Sequence, residues 1–215
     1  MEGLQNKEGS SKKYFKIMED KRTDSKTLKQ YRFFQNEKVN GNWASTNEGN
    51  SMSGTVVSIN IKSYEWEGQT KEQLELELAG KENNYVIAFG LNTQIADNLI
   101  NTLANEPIIG YIEMNCGFPN KEGYPTLYIN HNGQKTKWKY SKENGNWDEI
   151  PKITKEVIEG TTVKRGQTAK TDFWKKVLAE QVIPKLLPIV PPSSEPKIVE
   201  NETPNTNDDN DQLPF

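Results

Sequence analysis

Two residue types are nearly missing from this chain. Its 215 residues include one cysteine, Cys116, and one histidine, His131. A single thiol excludes an intrachain disulfide, so no covalent staple holds the fold. One Cys and one His also exclude a Cys/His zinc site, which needs several such ligands at close spacing. Long apolar runs are missing too, since no stretch approaches the roughly 18 residues of a membrane span. Residues 1–10 are polar and lack an apolar signal core. A soluble, cytoplasmic chain without membrane contact is the expectation. There is no Gly-rich phosphate loop with its Lys and Ser/Thr, and no paired-histidine helix motif. Hydrophobic residues make up only 33% of the chain. Part of it is therefore expected to stay unfolded.

What is present is unevenly spread. The net charge is −3, but residues 191–215 alone hold −5 and residues 1–190 hold +2. Within the body, residues 12–38 carry nine basic side chains against Glu19, Asp20, Asp24 and Glu37. Such asymmetry says more about partners than the total does.

Apolar periodicity locates the elements. Thr55, Val57, Ile59 and Ile61 alternate with Val56, Ser58, Asn60 and Lys62, the period of a half-buried strand. Glu67-Gly68 marks a turn, and Leu74, Leu76 and Leu78 alternate with Gln73, Glu75 and Glu77 on the way back. Residues 85–89 add a third strand to this meander. A helix follows, capped by Asn92 or Thr93, with Ile95, Leu99 and Leu103 on one face. Strands resume at 108–114, 126–130 and 135–140, with the tight-turn dipeptide Asn132-Gly133 between the last two. Further strands are expected at 14–18 and 31–39, with 40–52 a polar loop. Strands, one short helix, then strands is the order of a five-stranded oligonucleotide-binding barrel, whose helix lies between its third and fourth strands. A generic antiparallel sandwich is the rival.

Four regions follow: a disordered start at 1–11, the mainly β barrel domain at 12–150, a linker and amphipathic helix at 151–190, and a disordered acidic tail at 191–215. The linker covers 151–170 and the helix 171–187. The helix's apolar side either packs back on the barrel or joins two subunits into a homo-oligomer.

The tail ends Asp208-Asp209-Asn210-Asp211-Gln212-Leu213-Pro214-Phe215. An acidic stretch that only solubilised the chain would gain nothing from a terminal Leu-Pro-Phe. Phe215 offers a ring for an apolar pocket and a carboxylate for a basic rim, with Asp208, Asp209 and Asp211 to steer it. At these residues the chain resembles the bacterial and phage single-stranded DNA-binding proteins, which commonly end Asp-Asp-Asp-Ile-Pro-Phe. Here Leu213 stands for Ile, and Gln212 sits where an acid is usual. The resemblance spans about eight residues. It implies an oligonucleotide-binding barrel, a non-enzymatic role in replication, recombination and repair, and a tip that recruits partner proteins. It also implies action in the cytoplasm of a bacterial cell or of a phage-infected host. In the absence of DNA, the acidic tail would compete for a basic groove.

Sequence-tolerant strand binding needs aromatic rings for unpaired bases and cations for phosphates. Candidates are Lys12, Lys13 and Lys16 as diffuse phosphate contacts, and Tyr31, Arg32 and Phe34 as a mixed segment. Lys135, Lys137, Trp138, Lys139 and Tyr140 would put the lysines on one strand face and the rings on the other. Either face can line the groove, with the other solvated or in the core. Trp43 and Trp66, in loop and turn, either stack on bases or pack against the barrel end. No catalytic group assembles and no cofactor is expected. Cys116 and His131 could be imagined as a nucleophile–base pair, but a lone strand Cys is usually a small buried hydrophobe. The glutamates around Leu74 read as a solvated strand face. The alternatives are a protein–protein adaptor that does not touch DNA, an RNA-binding barrel, since stacking does not read the sugar, and a nucleic-acid enzyme with an unrecognised site.

Overall fold

The computed structural model describes residues 12–19, 31–40, 42–80, 83–116, 125–131, 133–158 and 161–187. The chain is mainly β, as expected. β1 (Lys12–Glu19), β2 (Tyr31–Val39) and β3 (Asn42–Gly49) form one antiparallel run. β4 (Ser51–Trp66), β5 (Gln69–Ala79) and β6 (Asn84–Gly90) form the expected meander. Helix α1 (Gln94–Asn105) leads to β7 (Tyr111–Cys116), β8 (Leu127–His131) and the two-residue β9 (Gln134–Lys135). These strands make one mixed sheet in the order β3-β2-β1-β6-β5-β4-β7-β8-β9. The β1–β6 ladder is parallel.

β4 is the junction. It pairs with β5 from Thr55 to Trp66 and with β7 through residues 51–55. Two features let it bend between them: a register shift at Val56/Ser58, and Gly54, where an added Cβ would lie 2.7 Å from the Ala79 carbonyl oxygen. The sheet curls until β2 touches β4 and β7. The ladders themselves run linearly, with β3 and β9 at the two ends.

The core lies on the sheet's inner face. Leu74, Leu76 and Leu78, expected to face inward, are fully buried with Ile59, Ile87 and Phe33, and Phe15 is buried beside them. α1 covers them, and all its residues from Ile95 to Ala104 are buried. The helix is enclosed on its far side as well, by α2 (Gln167–Val177) and by the stretch 136–150. Trp174 of α2 is 2% exposed. Thr93 caps α1, as expected, accepting from the Ala96 N–H.

Four local expectations change. Residues 42–49 form an edge strand rather than a loop, because backbone pairing with β2 needs no apolar alternation. The strand expected at 135–140 stops at Lys135. Beyond it, Asn144 Nδ2 donates to the carbonyls of Trp138 and Lys139, and side-chain amides replace a ladder. Within the stretch taken as linker, β10 (Thr154–Ile158) and β11 (Thr161–Arg165) pair as a hairpin. α2 starts at Gln167, four residues ahead of Thr171, after Gly166 in the left-handed region at φ 84°. No helix among the described residues is long and apolar enough to cross a membrane.

Candidate nucleic-acid interface

A cleft of about 1030 Å³ opens beside the N-terminus of α1. Its aromatic wall is Trp138 and Trp147, whose rings lie 6.3 Å apart at 16° to each other. Both are partly open to solvent, at 37% and 38%. The irregular stretch 136–150 fixes them there. Asn101, buried in α1, accepts the Tyr140 N–H at 2.8 Å and donates to the Tyr140 carbonyl at 3.0 Å. That clamp turns Tyr140 inward and leaves Trp138 outside. The Tyr140 ring meets Phe173 and Trp174 edge-on, and its hydroxyl accepts from Gln181 at 2.9 Å. Tyr140 is therefore a core residue, 5% exposed, and no base can reach it. Its expected stacking role is withdrawn.

The basic wall comes from Lys152, Lys155, Lys164 and Lys170. Lys170 pairs with Asp97 at 2.5 Å, and Lys152 with Asp148 at 2.8 Å. Burial, the larger influence, holds the Asp97 carboxyl above its ordinary range, and Lys170 draws it partly back. Lys155 and Lys164 form no ion pair among the described residues. Gln94 and Gln167, the first residues of the two helices, also line the cleft. Each helix start adds a fraction of positive charge.

A second aromatic and basic surface lies on the outer face of the sheet. The β4–β5 ribbon projects with residues 62–70 exposed. Cross-strand partners share a face, so Lys62, Tyr64 and Trp66 stand with Gln73, Lys71 and Gln69. Glu65 and Thr70 occupy the opposite face and bond each other at 2.6 Å. Trp66 is 55% exposed, with the Lys71 ammonium 6.0 Å from its ring. The same outer face continues across β6 to Lys16 on β1 and Phe34 on β2, which are register neighbours.

The expected residues therefore fall in several places. Lys12, Lys16, Arg32, Phe34 and Trp66 share the outer face. Lys12 is tied to Glu77 at 2.9 Å and Arg32 to Glu48 at 3.1 Å, which reduces their call on phosphates. Lys13 and Tyr31 lie on the inner side of their strands and are half-buried. Lys135 is exposed, its ammonium 5.2 Å from the Tyr128 ring. Lys137 is exposed and Lys139 half-buried, both in the stretch that carries Trp138. Trp43 has its backbone in β3, and its side chain lies outside the described residues. Asp208, Asp209, Asp211, Leu213, Pro214 and Phe215 also lie outside them.

Sequence reasoning missed Trp147 and the four cleft lysines. One signal was available: the stretch 154–165 is rich in the β-branched residues Thr, Val and Ile on both sides of Glu159-Gly160, the same turn dipeptide as Glu67-Gly68. Cys116 and His131 are not brought together: Cys116 pairs with Leu127 and His131 with Ile112 in the β7–β8 ladder. Cys116 is buried, which pushes its thiol up to about 12. His131 pairs with Glu106 at 2.8 Å, away from it on the sheet. No group of three His, Cys, Asp or Glu among the described residues is placed to hold a metal ion. Neither a protein-family model, nor a curated protein, nor a solved structure matches this chain.

Proposed function

We propose that the protein binds single-stranded DNA without sequence preference, and that its acidic tip recruits replication, recombination or repair proteins in the cytoplasm. One observation carries the proposal. In a chain of net charge −3, a cleft gathers two solvent-open tryptophans and four lysines, of which Lys170 and Lys152 are paired with Asp97 and Asp148 while Lys155 and Lys164 form no ion pair among the described residues. Rings take unpaired bases and ammonium groups take phosphates. Duplex DNA offers no free base face to such a wall, so the chemistry favours single strands.

The element order supports an oligonucleotide-binding domain. β4, β5, β6, α1, β7 and β8 follow the order of such a barrel, with the helix between the third and fourth strands and the first strand pairing both the second and the fourth. β1 lies in parallel along the free edge of β6, where the last strand would close the barrel.

The test is a titration with single-stranded DNA, duplex DNA and RNA of one length, followed by tryptophan fluorescence at several salt concentrations. Single-stranded DNA should quench the fluorescence. Log affinity should fall with log salt by roughly 0.7 for each phosphate neutralised. Salt-independent binding, or none, would sink the proposal and leave a protein–protein adaptor. Preference for the RNA would reassign the ligand.

A further inference from the structure

The β10–β11 hairpin holds a like-charge contact that the fold does not need. Lys155 and Lys164 are direct cross-strand partners. Side chains so placed are about 5 Å apart at Cβ, and like charges there destabilise a ladder. Both lysines line the cleft. The other face of the hairpin is balanced, with Arg165 bonded to Glu156 at 2.8 Å. No carboxylate among the described residues compensates the lysine face. The hairpin has little apolar contact to offset the repulsion. All its strand residues are exposed except Val163, and Val157 is 73% exposed.

Its base is nonetheless anchored. Gly166 joins it to α2 at φ 84°, and a Cβ there would lie 2.5 Å from the Lys152 carbonyl oxygen. The two lysines are thus held towards the cleft, near the N-termini of both helices and the tryptophan wall. Repulsion between two ammonium groups disappears when an anion sits between them, and a phosphate oxygen pair meets both at once.

We infer that Lys155 and Lys164 form a two-pronged site for one internucleotide phosphate, which draws the strand between the hairpin and the Trp138–Trp147 wall. This inference rests on the proposed strand binding but makes a separate claim. The phosphate site is a defined pair on the hairpin, not a diffuse basic surface.

The test uses the full chain, a 20-nucleotide oligo(dT) and the double variant Lys155→Gln/Lys164→Gln. The variant should bind more weakly, with a log–log salt slope smaller by about 0.7. Between 50 and 200 mM salt, wild type should therefore lose about 2.6-fold more affinity than the variant. Lys155→Arg/Lys164→Arg should keep the wild-type slope. Without ligand, the Gln variant should melt at the same temperature as wild type or higher, because a repulsion is gone. A lower melting temperature would mean that the lysines serve the fold, which overturns the inference. An unchanged salt slope also overturns it, and leaves strand binding standing. If wild type does not bind oligo(dT), pyrophosphate decides. Stabilisation of wild type but not of the Gln variant keeps the phosphate site, and equal effects on both remove it.

Discussion

Replacing Trp147 with Ala separates stacking from charge. Trp147 lies on the single helical turn Trp147–Glu149, with its ring beside that of Trp138. The turn is closed by the Ile150 N–H on the Trp147 carbonyl, which the substitution keeps. Losing the ring pair should cost about 0.5–1.5 kcal/mol of stability. For a chain of this size that is a fall in melting temperature of roughly 1–6 °C. Binding should suffer more. A stacked base contributes about 1–3 kcal/mol, so Kd for a single strand should rise by about 5- to 150-fold at fixed salt. The ring carries no charge, so the salt slope should not change. Anisotropy of a labelled oligo(dT), measured for both proteins across a salt series, gives Kd and slope together. An unchanged Kd would refute the stacking wall. A change confined to the slope would show that the substitution disturbed the lysines instead.

Four further outcomes are expected. Tyr64→Ala/Trp66→Ala on the ribbon should weaken strand binding by up to about tenfold, one stacked base at the low end of its range, while the melting temperature holds; equal affinity would confine the ligand to the cleft. Asn101→Ala strips two buried backbone groups of Tyr140 of their partner and should cost about 2–4 kcal/mol in denaturant unfolding; a loss below about 1 kcal/mol would mean that the stretch 136–150 holds itself. Asp97 is raised above 3.8 by burial, so its protonated form favours the native state. That contribution is complete below 3.8 and lost as pH rises through the raised value. Asp97→Asn should remove this decline, and a gap between the two proteins that is constant with pH would count against it. Cys116, pushed up to about 12, should resist a thiol reagent at pH 8 until the protein unfolds; rapid labelling of the native protein would contradict its burial.

The sequence by itself determined the elements whose two faces differ in polarity. The leucines of β5 alternate with Gln and Glu, and only one of the two possible orientations buries them. Ile95, Leu99 and Leu103 mark α1 in the same way, and Thr93 marks its start. Segregation of charge into the tail was also readable, because charge adds along the chain whatever the fold. The tertiary structure decided what depends on neighbours distant in sequence. β3 is polar and becomes a strand only because β2 supplies the ladder. Trp138 and Tyr140 look equivalent in sequence, yet Asn101, 39 residues from Tyr140, sends one outward and the other into the core. The cleft lysines are scattered from 152 to 170, and no spacing rule groups them. They meet because Gly166 sets the hairpin against Lys152 and α2 docks on α1. Local periodicity records which way a side chain faces, and only packing between distant segments decides what it faces.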